Sequence, residues 1–201
     1  MRQGLPALEP LDIVFGPFAD LRRKSTQGFI FAIIKQGLIG FVHLGAPCTI
    51  WSRARHGVKE THANRIKEEI GLELALFTAV VVKHCIPYGV AYAVENPRSS
   101  KLFAFRPLVE AFCSGPHYFI DFDMCKYGEK YQKPTRLVTS VPWLKPLSQR
   151  CDHHGHEVWL KGKVKVQTPR ERCSVCESYR TCWCIPTYVV PQIRATHQGA
   201  L

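Results

Sequence analysis

Apolar residues along this chain recur with two different periods, and the alternation between them predicts its elements. Phe29, Ile30, Ile33 and Ile34 repeat at helical spacing up to Lys35, with Ser25 placed to cap that helix and Gly37 to end it. The run Leu38 to Leu44 is mostly apolar and of strand length, and it opens into Gly45-Ala46-Pro47, so a buried strand leading into a loop is expected. His43, inside that run, is expected as a hydrogen-bonded core histidine rather than a ligand. From Thr61 to about Cys85, Ile66, Ile70, Leu74, Phe77 and Val81 step by three or four residues, which predicts the longest helix. Tyr88 to Val94 reads as a second buried strand that breaks into a turn at Glu95-Asn96-Pro97, where the residue before proline leaves helical geometry.

A shorter helix is expected from Ser99 towards Phe112, interrupted or restarted at Pro107, then a strand over His117 to Asp123 and another over Arg136 to Val141. Strands that alternate with helices predict an α/β fold: a mostly parallel sheet with flanking helices, with sites at the carboxyl ends of the strands. Beyond Ser148 the periods fade. The expected organisation is an α/β domain over residues 1–148 and a basic, irregular, Cys/His-rich tail over residues 149–201.

Composition narrows the class. A chain of 201 residues that is 46% hydrophobic can bury a core without disulfide staples. It has no apolar run long enough to span a membrane and no leader-like start, so an intracellular, non-membrane protein is expected, nuclear if the source is eukaryotic. Lys and Arg outnumber Asp and Glu by 27 to 16, for a formal charge of +11. Eleven basic against four acidic residues lie between Lys126 and Arg172, a concentration that would attract a polyanion such as DNA, or else a solvated face. Nine cysteines without a secretory leader favour free thiols, metal ligands or a nucleophile over a disulfide framework.

Three stretches adjoin predicted strands: Ala46-Pro47-Cys48-Thr49-Ile50-Trp51-Ser52-Arg53-Ala54-Arg55, Val94-Glu95-Asn96-Pro97, and Gln132-Lys133-Pro134-Thr135-Arg136-Leu137. In order and content, over roughly residues 20–141, they resemble the cytosine-C5 DNA methyltransferases. That resemblance implies a truncated Rossmann-like fold and three catalytic residues. Cys48 would be the nucleophile that adds to cytosine C6, Glu95 the acid at the base N3 and exocyclic amine, and Arg136 the residue that holds the base and offsets charge. The base must leave the duplex to be reached, so Ser52, Arg53, Arg55, Lys130 and Lys133 are expected on the DNA-binding surface, and Cys48 as a reactive, partly exposed thiol.

The sequence departs from the family pattern at identifiable points. Ala46 stands where the family has a first proline, Pro97 where it has a valine, and the Tyr127 to Gln132 spacing is one residue longer. S-adenosylmethionine is the methyl donor the resemblance implies, with Asp20, Pro47 and Asn96 on the cofactor side. The glycine loop that binds it is not matched: Asp12-Ile13-Val14-Phe15-Gly16-Pro17-Phe18 lies too close before Cys48 to fit the intervening elements. A partner chain supplying the cofactor half is therefore expected.

The tail suggests zinc. Cys173-x-x-Cys176 is a common half-site, and two of Cys182, Cys184, His154, His156 and Cys151 would complete four ligands. Three readings stay open at this level. The chain is a methyltransferase completed by a partner, a non-catalytic nucleic-acid-binding remnant such as a mobile element would leave, or a zinc-containing interaction module.

Overall fold

The computed structural model describes residues 7–55, 59–158 and 189–190. Its elements are α1 (Lys24–Lys35), β1 (Phe41–Gly45), α2 (His62–Cys85), β2 (Ala91–Pro97), α3 (Arg106–Cys113), β3 (Tyr118–Asp123), β4 (Pro134–Thr139) and β5 (Val189–Val190), with short 3-10 turns between them. Local chemistry explains several boundaries. The Thr61 hydroxyl accepts from Asn64 N at 3.3 Å and starts α2. Pro107 lies in the first turn of α3, where its missing N–H costs nothing. Gly37 leaves α1 with φ of 64°, a left-handed value that glycine adopts without a Cβ clash. Ser25 lies inside α1 rather than at its cap, which is Arg23.

The fold is mixed α/β, but its sheet is not mostly parallel. Among the described residues the strand order is β3-β4-β2-β1-β5, and of the four strand pairings only β1 with β2 is parallel. The reason lies in one connection. Helices α2 and α3 bridge β1 to β2 and β2 to β3, and these three strands run in one direction, as the alternation predicts. The β3–β4 connection carries only a 3-10 turn, Met124–Tyr127, so β4 returns antiparallel and inserts between β2 and β3.

Strand β2 also runs further than expected. Glu95, Asn96 and Pro97 are its last three residues rather than a turn. Pairing to β1 ends at Glu95, opposite Gly45, so Pro97 has a strand neighbour on one side only, where a missing N–H is tolerated.

All three helices pack on one face of the sheet. Ile30, Ile33 and Ile34 of α1, Phe77, Val81 and Val82 of α2, and Leu108 and Phe112 of α3 join Val42, Leu44, Tyr92, Val94 and Val138 in the main core. At roughly 25 cal/mol per Å² of apolar area, this cluster dominates the stability of the domain. The other face carries a smaller cluster of Ala93, Ile120, Phe122 and Leu137, covered by Met124 and by Leu144 and Leu147 of the turn Pro142–Leu147. Among the described residues no helix is long and apolar enough to cross a membrane.

Residues 149–158 return to the domain. Asp123 N donates to Gln149 O at 2.9 Å, Val158 N donates to Lys130 O at 3.2 Å, and Tyr131 bridges Val158. Lys126 pairs with Asp152 at 2.7 Å and Lys130 with Glu157 at 3.1 Å. The start of the Cys/His-rich stretch is thereby laid along the β3–β4 connection.

Candidate functional site

The one parallel pair brings two of the sequence motifs together. Because β1 and β2 run side by side with Gly45 opposite Glu95, the loop that leaves β1 at Ala46 starts at the level of the Glu95-Asn96 end of β2. In open α/β sheets such carboxyl ends are where ligands bind. Asn96, 1% exposed, donates from Nδ2 to Ala46 O at 2.7 Å and ties loop to strand.

Residues 46–55 are held along their length. Trp51 N donates to Cys48 O at 3.1 Å, closing a tight turn around Thr49 and Ile50. Lys101 N donates to Trp51 O at 2.9 Å, and the Trp51 ring lies 5.0 Å from that of Phe105. Arg55 pairs with Glu68 of α2 at 2.6 Å. Ile50 presses against α2 at Gly71, where a Cβ would lie 2.7 Å from the Ile50 Cδ1 and 2.8 Å from its Cγ1. Only glycine permits that approach. Pro47 and Cys48 are half-buried on the same loop, and Cys48 is not disulfide-bonded.

Alternation along β2 sends Glu95 and Asn96 to opposite faces of the sheet. Glu95 is 4% exposed, on the face of Ala93 and Leu137, and the Lys133 ammonium lies 3.7 Å from its Oε1. Arg136 stands opposite Asn96 and therefore faces the helix side. There it forms a bidentate pair with Asp121 at 2.6 and 2.8 Å, with the Phe119 and Phe103 rings 5.3 and 5.9 Å from its guanidinium carbon. This hydrogen bonding holds the Asp121 carboxyl below the usual carboxylate range and raises Arg136 further. Of the three predicted catalytic residues, the fold thus gathers the Cys48 loop and Glu95 at one strand end and turns Arg136 to the other face. Lys133, expected on a DNA surface, is the cation beside Glu95, and its side chain is only 16% exposed.

The remaining predicted residues are dispersed. Arg53 is exposed, Ser52 half-buried and Arg55 committed to Glu68. Lys130 is exposed and pairs with Glu157. Asp20 accepts from Arg22 Nε at 2.9 Å and Nη2 at 2.7 Å, which lowers its pKa. The segment resembling a cofactor loop is two successive 3-10 turns, Ile13–Phe15 and Pro17–Ala19, with Asp12 capping the first. Among the described residues it precedes β1, the first strand of the sheet. The described residues therefore do not fit S-adenosylmethionine: they lack the strand, glycine loop and helix that would cradle it.

His43 lies in β1 on the Ala93 side, and its Nε2 is buried with no hydrogen-bond partner among the described residues. At that atom the bond expected of a hydrogen-bonded core histidine is missing among the described residues. Burial pushes its pKa down to about 4.

A second cluster lies beyond the end of β3. Cys125, Cys151, His153 and His156 place one ligand atom each within 4.8 Å of one another. Cys151 Sγ is 3.5 Å from His153 Nδ1 and 3.3 Å from His156 Nε2. Cys125 was not anticipated, although Cys151-x-His153-x-x-His156 is itself a dense half-site that asks for a partner thiol. Cys173, Cys176, Cys182 and Cys184, the zinc ligands expected from sequence, lie outside the described residues, whereas His154 is exposed and not part of the cluster. No protein-family model, curated protein or solved structure matches this chain.

Proposed function

We propose that this chain is a divergent cytosine-C5 DNA methyltransferase-like domain that contributes the base-activating half of the reaction. The observation that carries the reading is the Asn96 to Ala46 hydrogen bond at the end of the parallel pair, which ties the cysteine loop to the strand end that carries the buried Glu95. In this chemistry the Cys48 thiolate forms a bond to C6 of an extruded cytosine. The C5=C6 electron pair moves into the ring, and the proton needed at N3 comes from the Glu95 carboxylic acid, leaving C5 as an enamine carbon. Lys133 would then steady the Glu95 carboxylate that remains. A methyl donor has no site among the described residues, so its binding would fall to a partner chain or to a segment outside those residues.

A second reading is favoured by Arg136. Its engagement with Asp121 on the opposite face removes the cation expected to hold the base. On that reading the domain binds nucleic acid through its positive charge without chemistry, as a mobile-element remnant would.

A duplex carrying pyrimidin-2-one in place of cytosine separates the two, because its C6 accepts a thiolate without a methyl donor. With randomised flanking sequence, a DNA adduct that survives denaturing electrophoresis and disappears in Cys48→Ala supports the first reading. Retention of the duplex at low salt with no adduct overturns it in favour of the second. Neither adduct nor retention rejects both.

A further inference from the structure

We infer that Cys125, Cys151, His153 and His156 form a structural zinc site that fastens residues 149–158 to the domain. It is independent of the function proposed above. The donor set is two thiols and two imidazoles, which zinc takes in a closed tetrahedron. With Zn–S and Zn–N bonds of about 2.3 and 2.0–2.1 Å, a tetrahedral S···N edge is about 3.6 Å. The two sulfur to imidazole separations from Cys151, 3.5 and 3.3 Å, lie close to that value, and all four donors converge within 4.8 Å.

The surroundings position the ligands as an outer shell would. Asp123, 1% exposed, accepts from Cys151 N at 2.9 Å and pairs with Arg150 at 3.1 Å, fixing the backbone of one ligand. Asp123 also directly precedes the 3-10 turn Met124–Tyr127 that carries Cys125, so its bond to Cys151 N holds the two thiol-bearing segments together. The Lys126–Asp152 ion pair clips the same two segments a second time.

The need for such a staple follows from the sequence. Between Gln149 and Val158 the chain has no regular structure and contributes nothing to either apolar cluster, so its ordering entropy is opposed by little besides polar bonds. A metal joining Cys125 to three ligands 26 to 31 positions later would supply the missing free energy. It would also rigidify the β3–β4 connection that ends at Lys133, the cation beside Glu95.

The test uses the full chain with Cys173, Cys176, Cys182 and Cys184 all changed to Ser, which removes the other thiol cluster. Loaded with zinc, this variant is expected to hold one equivalent, and X-ray absorption to report two sulfur and two nitrogen neighbours. Cobalt(II) in its place is expected to give the intense visible bands of a tetrahedral ion, and chelation to speed amide exchange over residues 149–158 by at least tenfold. Zinc uptake in the unaltered chain that vanishes in this variant, or a ligand set other than two sulfurs and two nitrogens, would overturn the assignment. Adding Cys125→Ser should leave one sulfur neighbour, and an unchanged spectrum would overturn it as well. The absorption measurement on the four-serine variant decides the matter even if Cys125→Ser does not fold.

Discussion

The Asn96 amide donates to the Ala46 carbonyl at 2.7 Å, joining residues 50 positions apart at the mouth of the candidate site. Neither residue does chemistry in the proposed mechanism. Their bond determines how firmly the Cys48 loop is held against the end of β2.

Asn96→Ala is expected to leave the Ala46 carbonyl without this buried donor and to destabilise the domain by about 1–3 kcal/mol. It should also loosen the loop, so thiol-specific labelling of Cys48 is expected to accelerate. Equilibrium unfolding by urea, with labelling followed by peptide mass analysis, checks both. Unchanged stability and labelling would mean that other loop contacts carry the restraint.

Gly71→Ala sets two effects against each other. An alanine in the interior of α2 gains about 1 kcal/mol in helix propensity. Its Cβ would meet the Ile50 side chain at 2.7 to 3.2 Å, and overpacking of this kind costs about 1–3 kcal/mol. Two of the three clashing atoms are the Ile50 Cγ1 and Cγ2, near its backbone, so the loop itself must shift. The expected result is net destabilisation, relieved in the Gly71→Ala/Ile50→Ala double variant.

The pH dependence between about 4 and 6.5 should carry a His43 component. Its folded pKa is about 4, against 6.5 for the free side chain, so within this window the unfolded chain binds the extra proton. Stability therefore rises with pH across the window, by up to about 1.4 kcal/mol per pH unit. His43→Leu is expected to flatten that part of the stability profile, and an unaltered slope would show that His43 is protonated as easily in the fold as in water.

Asp121 behaves in the opposite sense, through a carboxylate. Arg136 lowers its folded pKa, so the stabilisation is complete above the unfolded value of about 3.9 and is lost as pH falls below it. The pair is partly solvated, and its coupling in a double-mutant cycle of Asp121→Asn with Arg136→Ala should be about 0.5–1 kcal/mol at pH 7, declining as the carboxyl is protonated in acid.

Arg53 and Lys130 are the exposed members of the basic residues proposed to meet DNA. Arg53→Glu and Lys130→Glu should each weaken duplex retention, and neutralising either should reduce the slope of log affinity against log salt by about one. Lys133→Ala, at a half-buried position beside Glu95, should leave that slope unchanged.

The sequence by itself determined where the elements lie. Helical and strand periods placed α2 to within a residue of each end and found β1 to β4 to within a few residues, because burial of one helix face or of a whole strand leaves a local trace. It also marked Cys48 and Glu95 as residues at strand ends. Tertiary structure alone decided the rest. Whether β4 joins its neighbours parallel or antiparallel depends on what lies in a single connection, and which face Arg136 takes depends on the register of β4 against β2, one residue of which reverses every side chain. The Cys125 cluster has the same origin: its fourth ligand is 26 positions away from the nearest of the others, and the bond at Asp123 and the Lys126–Asp152 pair bring that turn and the Cys151 segment together.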